Sequence, residues 1–150
     1  MITLKPSLYS PLCSLVAGAL LAAAVVALPA KAFAGSEVLF ILDSSGSMKA
    51  AIQGETKMDS ARRALRLALG EIKPDTKVAL RLYSHRVPQS DKAGSCKDSE
   101  LAIPFGTVDQ QKFAEVMKAA SPLGYTPISF ALAQARQDFP IANEAERTII

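Results

Sequence analysis

Residues 38–48, VLFILDSSGSM, decide how this chain folds. Val38, Leu39, Phe40, Ile41 and Leu42 run without interruption into a Ser- and Gly-rich turn, the profile of a short strand buried on both faces. The residues that follow emerge at the carboxyl end of that strand, where open α/β sheets bind their ligands. Asp43, Ser45 and Ser47, spaced two apart, present one carboxylate and two hydroxyls from a single tight loop. Hard oxygens of this kind suit a hard divalent cation, Mg²⁺ above all, which keeps several waters and rarely demands a full protein cage. Ser, Gly and Asp are also ordinary turn formers, so these few residues read equally as a plain turn. The rest of the chain has to decide.

Residues 1–34 have the form of a signal peptide. Lys5 gives a basic start, residues 12–28 are apolar apart from Ser14 and Gly18, and small-x-small cleavage signals follow at Ala30-Lys31-Ala32 and Ala32-Phe33-Ala34. Cutting after Ala34 leaves Gly35 as the first residue of the exported domain. The apolar run of 17 residues is close to the length at which a spanning helix becomes feasible, so an uncleaved membrane anchor is the alternative. Cys13 precedes most of that run, which argues against a lipoprotein signal. Either way the expectation is an exported protein, periplasmic or secreted.

Removing residues 1–34 takes away two lysines and no acids, which leaves 15 of the 17 basic residues against 14 acidic ones, a net charge of +1. The whole-chain pI of about 8.9 therefore carries no nucleic-acid message, and no run of like charge replaces it. The remaining 116 residues suffice for one small domain. Cys96 is their one cysteine, and an odd thiol in an exported setting implies either a partner outside this sequence or a free thiol.

Beyond the first loop, Thr56-Lys57-Met58-Asp59 has the form of a capping box. Met58, Ala61, Leu65, Ala68, Leu69 and Ile72 then recur at helical spacing, with Arg62, Arg63 and Arg66 on the solvated side. Pro74 and Asp75 end that helix. Residues 77–84, KVALRLYS, alternate as a second strand, with Val78, Leu80 and Leu82 on one face and Ala79, Arg81 and Tyr83 on the other. Residues 85–98 read as a polar loop, and residues 101–105, with Pro104, as a short edge strand. Thr107 with Gln110 starts a second helix, whose stripe is Phe113, Val116, Met117 and Ala120. Thr126-Pro127 opens a third, with Thr as cap and Pro at the first helical position, and a stripe of Ile128, Ala131, Leu132, Ala135 and Phe139. Arg147-Thr148-Ile149-Ile150 begins another strand. Strands alternating with amphipathic helices predict an α/β fold, a doubly wound and mostly parallel sheet covered on both faces.

The order of elements and the Asp43-x-Ser45-x-Ser47 loop together resemble the von Willebrand factor A domain and its metal-ion-dependent adhesion site. A second loop of that family, often G-x-T-P, is matched by Gly124-Tyr125-Thr126-Pro127. The resemblance implies a Rossmann-like sheet of order 3-2-1-4-5-6. It implies a Mg²⁺ site, with Mn²⁺ or Ca²⁺ as substitutes, in which Ser45, Ser47 and Thr126 supply hydroxyls. Asp43 would act largely through water and orient the serines. The family's last element, an Asp-Gly turn after the fourth strand, has no counterpart before Ile150. The resemblance thus covers residues 37–150, the first two thirds of a complete domain, and implies a fold incomplete at its C-terminus. It also implies a disulfide partner for Cys96 beyond residue 150.

The function it implies is metal-dependent binding of a protein partner whose Asp or Glu carboxylate completes the metal shell, with no bond broken. No nucleic acid is expected, and a membrane only if residues 1–34 stay attached. A truncated, nonfunctional remnant is one alternative. A serine-dependent hydrolase is another, with Ser45 or Ser47 as nucleophile and His85, the one histidine, as base. The loop lacks G-x-S-x-G and no acidic orienting partner is identifiable, so the chain is not expected to be an enzyme.

Overall fold

The computed structural model describes residues 35–140 and 145–150. The segment read as a signal peptide lies outside the described residues. Among those described, no helix is long and apolar enough to cross a membrane.

The central strand β1 (Ser36–Asp43) leads into a single 3-10 turn (Gly46–Lys49) and a small hairpin of β2 (Ala51–Ile52) and β3 (Glu55–Thr56). Gln53 and Gly54 both hold positive φ, 53° and 91°, which a two-residue I′ turn demands. The helix α1 (Lys57–Gly70) follows, then β4 (Lys77–Tyr83), the one-turn helix α2 (Lys92–Ser95) and β5 (Ser99–Gly106). Two further helices, α3 (Gln110–Ala119) and α4 (Ile128–Asp138), precede β6 (Glu146–Ile149). The main sheet has the order β5-β4-β1-β6. Counting principal strands, that is 3-2-1-4, the first part of the expected order. β1 runs parallel to both neighbours, with Val38 opposite Val78 and Asp43 opposite Tyr83 on one side and Val38 opposite Thr148 on the other. β5 lies antiparallel to β4 at the edge, and Pro104, which has no N–H to donate, falls where the register shifts between Val78 and Leu80.

Period-two alternation sorts the strands between two cores. Val38, Phe40 and Leu42 join Val78, Leu80 and Leu82 against Met58, Leu65 and Leu69 of α1 and Phe113 and Met117 of α3. Each such large side chain removed from water contributes about 1.5–3 kcal/mol. On the opposite face Leu39 and Ala79 meet Ala135 of α4 and Phe139, whose ring lies 4.9 Å from that of Phe105. Helices thus cover both faces, as the alternating pattern predicts.

The structure corrects four local readings. Thr56 does cap α1, accepting from the Asp59 amide at 3.0 Å, but α3 is capped by Asp109, which accepts from Lys112 N–H at 3.0 Å. Thr107 is too far ahead of α3 to reach it, and Asp is the stronger cap. In α4 the cap position falls on Pro127, and Thr126 does not cap through its hydroxyl. The Thr126 carbonyl instead accepts from Ile128 N–H at 2.9 Å. The α4 stripe is narrower than predicted. Ala131, Ala135 and Phe139, four apart, are buried, whereas Ile128 (52 %) and Leu132 (41 %) lie exposed on its flank. Finally, Arg62 is not simply solvated. Its guanidinium donates to the Met117 and Ala120 carbonyls at 3.0 and 2.8 Å, closing the C-terminus of α3 with a charge of favourable sign.

Candidate metal centre

Asp43 is the last residue of β1, and the chain turns sharply after it because the Asp43 carboxylate accepts the Ser45 amide at 2.7 Å. That turn brings the Ser45 and Ser47 hydroxyl oxygens to 3.1 Å from each other. Two oxygens bound side by side to one octahedral cation at 2.0–2.1 Å would stand about 2.9 Å apart. The pair therefore fits a Mg²⁺-sized ion with little adjustment. Ser45 is buried, Asp43 half-buried and Ser47 exposed, so the oxygens step outward from core to surface. Beside them the buried Tyr83 lies opposite Asp43 in the β1–β4 register. Burial first, and then the neighbouring Asp43 carboxylate, push the phenol's pKa well above its ordinary value. Tyr83 thus stays neutral beside Asp43.

The second loop docks directly on the first. Ser45 and Gly124 form a parallel bridge, Gly46 N–H donates to Gly124 O at 2.9 Å, and Leu123 N–H donates to Ser44 O at 3.0 Å. Gly124 is required by this close approach. A Cβ there would overlap Ser95 Oγ and come within 2.7 Å of the Val87 carbonyl. Thr126, two residues on, is exposed at the start of α4. The fold thereby brings the backbones of the two loops together across about 80 residues of sequence. Among the described residues no group of three or more His, Cys, Asp or Glu is gathered, so a cation site here is one of hydroxyls and a single carboxylate.

Sequence reading quoted Gly124 in the second-loop motif without its close-contact role, and it missed Ser84 and Ser95, which support that loop. Ser84 had a usable signal, because it leaves β4 at the same sheet edge as Asp43. Ser95 had none. The segment 85–98, read as a plain loop, contains α2 and is built around Asp98, whose buried carboxylate accepts the Arg86 and Val87 amides at 2.8 and 3.0 Å and the Arg86 guanidinium at 2.8 Å. Burial pushes this carboxyl up, but those donors more than offset it, and its pKa rests below the ordinary carboxylate range. Its stabilising contribution is therefore complete above the unfolded value of about 3.9 and is lost as pH falls through the lower folded value. Asp98→Asn is expected to cost about 1.5–3 kcal/mol at pH 7. The gap in urea midpoint from the parent should narrow as pH drops below about 4. A gap independent of pH would contradict this assignment.

Cys96 follows α2 and is exposed, with a free thiol, in the loop where the sequence placed it. His85 hydrogen-bonds through Nε2 to Glu100 at 3.1 Å. It lines a recess of about 220 Å³ with Leu82, Ala102, Val116 and Ala120, beneath α3. Glu100 is thus an acidic neighbour that the sequence reading did not identify, but neither Ser45 nor Ser47 is among the hydrogen-bond partners of His85.

Residues 38–150 match the family model of the von Willebrand factor type A domain, and the chain belongs to that family. It is 32 % identical over 108 residues to the uncharacterized protein YwmD of Bacillus subtilis, covering 71 % of this chain and 48 % of YwmD. The chain thus spans about half the length of that curated relative. Among solved structures, the von Willebrand factor type A protein from Catenulispora acidiphila superposes with a TM-score of 0.61 at 20 % identity, over 77 % of this chain and 25 % of the other. The vWF domain of the type V pili tip protein Mfa5 from Porphyromonas gingivalis gives 0.58 at 19 %, over 78 % and 36 %. At these identities the likeness is one of fold.

Proposed function

We propose that this chain is an exported, metal-dependent protein-binding module, in which Ser45, Ser47 and Thr126 hold a Mg²⁺-type ion and Asp43 supports it. One observation carries this reading: two serine hydroxyls stand 3.1 Å apart at the carboxyl end of the central strand, with the Thr126 loop bridged to them. When bound, the ion would supply an electrophilic centre, weakly neutralised because its protein ligands are neutral hydroxyls rather than several carboxylates. A partner carboxylate entering a partly desolvated site of that kind is attracted more strongly than in bulk water. Tyr125, 39 % exposed beside Thr126, adds an aromatic surface of the type enriched in interface hot spots. The fold shared with a pilus tip protein agrees with an adhesive role outside the cytoplasm, as does the signal-like segment 1–34.

Capture of a partner from native extract should require Mg²⁺, disappear with EDTA, and fail for Thr126→Ala. The captured protein should lose binding when one Asp or Glu at its contact surface is neutralised. Equal retention with EDTA and by Thr126→Ala would show that recognition lies elsewhere on the molecule.

A further inference from the structure

Every backbone polar group of Gly124 and Tyr125, the two residues before Thr126, is paired. Gly124 N–H donates to Ser84 O at 3.1 Å. Gly124 O accepts from Gly46 N–H at 2.9 Å and from Gln89 Nε2 at 3.2 Å. Tyr125 N–H donates to Ser95 Oγ at 2.6 Å, and Tyr125 O accepts from Ser84 Oγ–H. Two serine hydroxyls therefore grip Tyr125 from both sides, one at each of its peptide groups. Both serines are fully buried, so water cannot substitute easily for either bond.

Each is also anchored within the 84–98 segment. Ser84 adopts φ 64°, a left-handed conformation uncommon for a residue with a Cβ, which persists only where the surroundings over-determine it. Here its N–H is taken by Asp98 O at 2.9 Å and its carbonyl by Leu123 and Gly124. Ser95 is the last residue of α2, held through its N–H by Asp91 O at 2.9 Å. The excursion between β4 and β5 thus ends in two buried hydroxyls aimed at the peptide that precedes Thr126.

We propose that Ser84 and Ser95 are positioning residues for Thr126: they bind no ion, but they set its backbone against Ser45 and Ser47 so that three hydroxyls converge. This rests on the metal-site reading above and extends it to the 84–98 segment. Groups that orient ligands from behind typically change metal affinity 10–100-fold when removed.

The probe is Mn²⁺ alone, titrated into the protein and followed through the resonance of the free ion. Ser95→Ala is expected to weaken binding at least tenfold. In a Thr126→Ala background the same change should add nothing, because its route to the ion is already gone. Ser84→Gly relieves the left-handed strain while deleting the hydroxyl, so it should lose affinity without losing thermal stability. Amide exchange should quicken at Tyr125 in Ser95→Ala while the β1 amides keep their protection. Parent-like affinity in Ser95→Ala, or an equal loss with and without Thr126, would overturn the positioning role while leaving the metal site standing. Parent-like affinity in Thr126→Ala alone would instead overturn Thr126 as a ligand, and this proposal with it.

Discussion

The Ser45→Ala/Ser47→Ala double variant is expected to lose Mg²⁺ and Mn²⁺ binding by roughly 100-fold or more, about 2.8 kcal/mol, measured by titration calorimetry. The reason is geometric. The two hydroxyls stand 3.1 Å apart, and one oxygen of the Asp43 carboxylate is already committed to the Ser45 amide. Removing both hydroxyls leaves the loop backbone intact, since the turn is closed by Ser45 N–H and bridged to Gly124 through main-chain bonds. The variant should therefore melt close to the parent. Undiminished metal affinity in a folded double variant would remove these serines from the site. Single variants should fall in between, because neighbouring ligands of one ion are not independent.

The largest effect on stability is expected on the other face of the sheet. Arg81 donates through Nε and Nη2 to the two oxygens of Asp138, both at 2.7 Å, and through Nη1 to Ser99 Oγ at 2.9 Å. Both charged side chains are almost fully buried, at 6 % and 10 % exposure. This two-pronged pair ties the end of α4 to the centre of β4. Asp138→Ala leaves a guanidinium buried without its counter-charge, which costs about 3–5 kcal/mol. For a domain of this size that lowers the melting temperature by on the order of 10–20 °C. Arg81→Met combined with Asp138→Leu fills the same space without charge and should recover most of the loss. A mild effect of Asp138→Ala, or a double variant as unstable as the single one, would show that the pair is not what holds α4 down.

The metal-site test and the ion-pair test probe opposite ends of what the sequence discloses. The Asp43 loop is legible because its donors are local: a strand of five apolar residues fixes where the loop emerges, and a spacing of two puts alternate side chains on one side. α1 is equally legible, since burial against a sheet imposes a period of 3.6 that Met58, Leu65 and Leu69 display. The alternation in residues 77–84 likewise placed Val78, Leu80 and Leu82 on the face they occupy. In each case the information lies within a few residues of where it is used.

The caps of α3 and α4 were misassigned because several residues near each start are competent caps, and backbone geometry selects among them. The charge of Arg81 on an otherwise apolar strand gave no hint of Asp138, 57 positions away. Ser84 and Ser95, 41 and 30 positions from Tyr125, are ordinary loop serines by composition. By itself the sequence determined the fold class, the central strand, the donor-bearing loop and the faces of α1 and β4, because these follow from local period and local donors. The tertiary structure alone decided that the two loops dock on each other, which serines hold the Tyr125 backbone, and which buried charge is paired. Those roles depend on contacts between distant segments, whose partners leave no periodic trace along the chain.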